Sequence, residues 1–113
     1  MLQQSDLLVT VTDETFAAAV LSAPNPVVVD VWAEWCPPCH AISRSLAVLA
    51  EELAGRMTVA TLDADANPET VRAYEVRSLP TLLIFRDGTL VNTSVGARPV
   101  AALRTLLTAA LPA

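Results

Sequence analysis

The sequence predicts an α/β domain in which a mixed β-sheet is sandwiched between helices. Three observations lead there. Apolar runs of strand length alternate with segments of helical period through the first half of the chain, the pattern of parallel strands joined by crossover helices. Towards the end, two β-rich runs flank Asp87-Gly88, a hairpin signal that adds antiparallel strands. The length of 113 residues and the apolar content of 53% suffice for a buried core without disulfide staples, so residues 1–113 are expected to form a single domain.

The elements follow in order. Residues 7–11 are a short β-rich run and the predicted first strand. Thr12-Asp13 then offers an N-cap for a helix over residues 14–21, which Pro24 and Pro26 bring to an end. Residues 27–32 form a near-continuous apolar strand, as expected for a strand covered on both faces. From Cys36 to about Ala54 the period becomes helical, with Ile42, Leu46, Leu49 and Leu53 on one face and Gly55 as the stop. Residues 57–62 are the next strand. Asn67-Pro68 reads as a cap and first turn for a short helix over 69–74. Residues 81–85 and 89–95 are the hairpin strands. Pro99 opens a last helix that buries Val100, Leu103, Leu106 and Leu107. The predicted order is β-α-β-α-β-α-β-β-α, parallel at first and antiparallel at the end.

Composition excludes several functions. The formal net charge is -5 and no basic cluster occurs, which argues against nucleic acid or an anionic membrane surface as partner. All seven fixed positive charges are arginines, so chemistry that needs a lysine amine is excluded. Asp30, Arg44 and Arg86 interrupt the best candidates for a membrane span. Residues 1–6 carry neither a basic stretch nor an apolar core, so no signal peptide is expected and a cytoplasmic location is the default. In that compartment a close cysteine pair is catalytic or metal-binding more often than structural.

The chain holds two cysteines, in the tetrapeptide Cys36-Pro37-Pro38-Cys39, directly after the apolar strand. Residues three apart at a helix start share a face, and a tightened first turn can bring their sulfurs into bonding range. The pair can therefore switch between dithiol and disulfide with little backbone movement. Cys36 falls at the helix N-terminus, where unpaired N–H groups and the helix dipole favour the thiolate, the attacking species. This makes Cys36 the expected nucleophile, outward-facing, and Cys39, one turn inside, the resolving thiol. Asp30 interrupts the valine-rich strand that leads to them. Buried, it would have a raised pKa and could take the Cys39 proton; at a strand end it could instead be solvated.

Other readings use the same residues. Cys36-Pro37-Pro38-Cys39-His40 fits the c-type haem attachment pattern literally, but His40 is the lone histidine and Met1 and Met57 are poorly placed as a second axial ligand. A zinc site usually takes four ligands, and only Cys36, Cys39 and His40 are at hand. His40 is expected to be an exposed helical residue, Trp35 a contact surface beside the reactive sulfur, and Trp32 part of the core.

These residues resemble a known family. Asp30-Val31-Trp32-Ala33-Glu34-Trp35-Cys36 followed by Pro-Pro-Cys looks like the active-site segment of the thioredoxin family. Val76-Arg77-Ser78-Leu79-Pro80-Thr81 is similar to its cis-proline loop, and Val95-Gly96-Ala97 to its third substrate-facing loop. The resemblance implies a thioredoxin fold, a central five-stranded mixed sheet flanked by four helices. It implies that Pro80 is cis and lies against the Cys36–Cys39 disulfide. The Leu79 backbone would pair with an extended substrate peptide, and Trp35, Pro37, Gly96 and Ala97 would complete an apolar groove. The implied activity is reduction of protein disulfides by a monomer that needs no cofactor beyond its own cysteines. An NADPH-dependent thioredoxin reductase would restore the dithiol.

Three departures from the family pattern stand out. Pro37-Pro38 replaces Gly-Pro, which removes one more N–H from the helix start and implies a less acidic Cys36. Thr61 stands where the family carries a lysine near the buried aspartate, which implies an Asp30 that is harder to ionise. The proline that kinks the family's long helix is replaced near Arg44, which implies a straighter helix. Because the residues between the cysteines affect redox poise, a disulfide oxidase or isomerase stays open as an alternative. So does a binding module that uses the groove while its thiols are incidental.

Overall fold

The computed structural model describes residues 7–112; residues 1–6, on which the signal-peptide reading rests, lie outside them. The elements come in the expected order: strand β1 (Leu8–Thr10), a π-helix (Ala17–Leu21), β2 (Val27–Trp32), helix α1 (Pro37–Glu52), β3 (Thr58–Asp63), α2 (Pro68–Ala73), β4 (Thr81–Arg86), β5 (Thr89–Val95) and α3 (Val100–Thr108). The strands form one five-stranded sheet in the order β1-β3-β2-β4-β5. β1, β3 and β2 run parallel, while β4 pairs antiparallel with β2 and β5 antiparallel with β4.

β2 is central, which accounts for its near-unbroken run of valines. Val27, Val29 and Val31 face one side, where they pack with Phe16, Val20, Leu62, Leu83 and Phe85. Val28 faces the other side, against Ile42, Leu46 and Leu49 of α1 and Leu103 and Leu107 of α3. The helical face read from the sequence is the buried one: Ile42, Leu46, Leu49 and Leu53 are all inaccessible to solvent. Alternation along β2 puts Asp30 and Trp32 on the same side as Val28, under the start of α1 rather than its middle.

The first helix differs from expectation. It starts late and is π-wound, closing with Ser22 N–H to the Ala17 carbonyl at 3.0 Å. Thr12 and Thr15 hold a separate turn through their hydroxyls, Thr15 N–H donating to Thr12 Oγ1 at 3.2 Å. Asp13 caps a different helix. Its carboxylate accepts the N–H groups of Glu69 and Thr70 at 3.1 and 2.8 Å and the Thr70 hydroxyl at 2.6 Å. Asn67 reciprocates by accepting Asp13 N–H at 2.8 Å. The expected caps therefore act across the molecule, tying the segment after β1 to the start of α2. At the hairpin, Asp87 and Gly88 have φ of 53° and 78°, as a two-residue turn with left-handed central positions requires.

Candidate active site

The site forms where β2 ends and α1 begins. Cys36 is the N-cap residue of α1 and is extended, with φ -106° and ψ 100°. Cys36 N–H donates to the Ala33 carbonyl at 3.2 Å and Cys39 N–H to the Cys36 carbonyl at 3.1 Å, a tight turn that superposes the two side chains. The sulfurs are joined in a disulfide with the Cα atoms 5.3 Å apart, inside the range a disulfide spans without strain in the chain. Pro37 and Pro38, both exposed, occupy the first helical positions, so the first turn offers no N–H from either residue.

Burial corrects one expectation. Cys36 is 4% exposed and Cys39 1%, so the first sulfur does not stand out into solvent. It packs with Ala33, Cys39, Trp32 and Leu79. Of the two cysteines, Cys36 keeps the greater exposure.

Asp30 lies beneath. It is 1% exposed, and its Oδ1 has no hydrogen-bond partner. Burial alone pushes its carboxyl up to about 7, with no cation contributing. This decides between the two readings of Asp30: it is buried, not solvated. Thr61 stands directly beside it in the β2–β3 register. A cleft of about 400 Å³ reaches Asp30 and Cys39 from the β1 side, bordered by Thr10, Thr61, Asp63, Trp32 and His40. Trp32 is thus half-buried rather than a core residue: as the last residue of β2 it packs against Cys39 and His40 at the start of α1 and borders the cleft. His40 is exposed, with Nε2 2.8 Å from the Glu34 carbonyl.

The remaining candidates come from the segments before β4 and after β5 and from Trp35. The Leu79–Pro80 peptide bond is cis, and Leu79 packs on the Ala33–Cys36–Cys39 cluster. Within the described residues the Leu79 peptide group makes no hydrogen bond, so its N–H and C=O are open to a partner. Gly96 N–H donates to the Pro80 carbonyl at 2.8 Å, which brings Gly96 and exposed Ala97 alongside. Trp35 is 67% exposed, yet its Nε1–H donates to Asp65 Oδ2 at 2.8 Å. Asp65 escaped the sequence reading, although the acidic run Asp63-Ala64-Asp65 after a strand was its visible signal. Among the described residues no three His, Cys, Asp or Glu side chains converge as a metal site, and no helix is long and apolar enough to cross a membrane.

The arrangement is a pair of bonded sulfurs at a helix tip, with a buried carboxyl of raised pKa lining the same cleft as Cys39. Comparison with known proteins points the same way. The family described as Thioredoxin matches residues 7–109. A thioredoxin of Mycobacterium tuberculosis is 48% identical over 104 residues, covering 92% of this chain and 90% of that one. A thioredoxin of Acidithiobacillus ferridurans is 45% identical over 103 residues, covering 91% and 95%. A bifunctional thioredoxin reductase/thioredoxin of Mycobacterium leprae is 44% identical over 101 residues, covering 89% of this chain and 22% of that protein.

Proposed function

Because the chain belongs to the thioredoxin family and is a thiol-disulfide oxidoreductase, we propose that it reduces protein disulfides with Cys36 as nucleophile, Cys39 as resolving thiol and Asp30 as the base that serves Cys39. The observation that carries this reading is the Cys36–Cys39 disulfide with Asp30, a buried carboxyl whose Oδ1 has no partner, lining the same cleft as Cys39.

In the reduced protein the Cys36 thiolate attacks one sulfur of a substrate disulfide. A Cys36–substrate bond forms, and the other substrate sulfur leaves as a thiolate and takes a proton. Cys39 then gives its proton to Asp30, and its thiolate attacks Cys36 Sγ. The Cys36–Cys39 bond forms, and the second substrate sulfur leaves. Two electrons have passed to the substrate. A carboxyl with a pKa near 7 accepts a thiol proton far better than an ordinary one, and also gives it up again near neutral pH.

The groove supports an extended substrate. Leu79 offers an unpaired peptide group beside the sulfurs, and Trp35, Pro37, Pro80, Gly96 and Ala97 border it. Both sulfurs, the carboxyl and the groove come from one chain, so we assign the activity to a monomer. An NADPH-dependent thioredoxin reductase is the partner we propose for regeneration, supported by the relative whose name joins the two activities. We place the protein in the cytoplasm, where thiols are kept reduced.

Reduction of insulin disulfides is the test. Wild type should be active, and Cys36→Ser should abolish activity. Cys39→Ser should accumulate a mixed disulfide through Cys36. A wild type inactive on insulin, with a partner bound equally well by the Cys36→Ser, Cys39→Ser double variant, would leave only a binding module. The equilibrium of the cysteine pair with glutathione tests direction, since a strongly oxidising value would overturn the reductase reading.

A further inference from the structure

We propose that Arg98 selects disulfide substrates that carry a carboxylate side chain beside the reactive cystine, an inference that rests on the groove assignment above. Arg98 follows Gly96 and Ala97, and the Gly96–Pro80 hydrogen bond sets this loop against the cis-proline. Arg98 is exposed, but its side chain is held at one point. Its Nε–H donates at 2.7 Å to the hydroxyl of Ser94, which is 3% exposed. Ser94 stands opposite Leu82, and Leu82 opposite Asp30, so the anchor lies on the face of the sheet that holds the Asp30 carboxyl.

A guanidinium has five N–H donors in a rigid fork, and the Ser94 bond uses one. Among the described residues Arg104–Glu52 is the one ion pair, so Arg98 has no carboxylate of its own. This is notable in a chain with 12 acidic and 7 basic residues. Acidic residues flank Trp35: Glu34 precedes it and is exposed, and Asp65 accepts its Nε1–H. On the groove assignment above, acidic residues accompany Trp35 and a basic residue follows Ala97. Arg77, exposed before Pro80, adds positive charge but has no anchor. A peptide carboxylate on the Arg98 rim meets a preorganised cation with free paired donors, whereas a lysine there is repelled.

The test compares three short peptides, each with one internal disulfide and with Asp, Asn or Lys on either side of the cystine. Wild type should show kcat/KM for the Asp peptide about threefold above the Asn peptide, the size expected of an exposed charge pair. The preference should fade towards unity at about 1 M salt. In Arg98→Gln it should vanish while the Asn peptide is reduced as before. Arg98→Lys keeps the charge without the fork and should retain part of the preference; Ser94→Ala, which frees the side chain, should weaken it. Arg104→Gln removes one positive charge elsewhere and should leave the ratio unchanged. An undiminished preference in Arg98→Gln, or none in wild type, overturns the proposal. Failure of wild type to reduce any of the peptides would instead overturn the reductase reading.

Discussion

Asp30 is the residue whose chemistry is most exposed to measurement. Its carboxyl titrates near 7 in the folded chain because burial disfavours the charge, against an ordinary value of 3.8. The folded state therefore binds the proton more tightly than the unfolded state. Stability contributed by this group is fully present below about pH 4 and is lost as pH rises through 7. The shift of roughly three pKa units corresponds to about 4 kcal/mol at alkaline pH. Denaturant midpoints of the oxidised protein should fall across this window, and in Asp30→Asn that fall should largely disappear. If Asp30 serves Cys39 as proposed, the same variant slows release of the mixed disulfide more than the first attack; equal slowing in stopped-flow measurements would refute the role. The cysteine pair and the strand aspartate were legible from residue type and spacing alone. The near-burial of Cys36 was not, because it depends on Leu79, which lies more than forty residues further along the chain and packs on the sulfurs.

At the scale of elements, the start of α1 sets the reactivity of Cys36. With Pro37 and Pro38 at its first two positions, and Cys39 N–H already given to the Cys36 carbonyl, few backbone donors are left for a thiolate. Pro37→Gly restores one N–H and should lower the Cys36 pKa, as read from thiolate absorbance at 240 nm or so in the reduced protein; an unchanged or higher value would refute the argument. The β4–β5 turn gives a second element-scale expectation. A Cβ on Gly88 would lie 2.8 Å from the Leu21 carbonyl oxygen, at φ +78°. Gly88→Ala should cost about 1–3 kcal/mol in urea unfolding. It should spare the reaction at the sulfurs, because β4 runs from Pro80 at one end to this turn at the other. The order and type of most elements were readable from period and turn residues. The late, π-wound first helix was not, since Thr12 and Asp13 carry a good local cap signal that a contact 57 residues away diverts to Thr70.

Across the whole molecule, the sheet separates stability from chemistry. Leu103 is fully buried in the cluster that joins α1, α3 and the sheet, away from the cysteine pair. Leu103→Ala should cost about 2–5 kcal/mol, read as a lower denaturation midpoint, with the rate of insulin reduction at 25 °C close to wild type. A proportionate loss of rate would mean that the site depends on that core. The primary structure by itself determined which residues can carry electrons and protons, which segments are strands and which helical, and which helix faces are buried, because spacing, period and side-chain chemistry are local properties. Only the folded chain decided that Asp30 Oδ1 lacks a partner, that Leu79 packs on the cysteine pair while Gly96 bonds to Pro80, and that Arg98 is anchored without a carboxylate. Burial and convergence depend on which distant segments the crossovers bring together, and no local pattern encodes those distances.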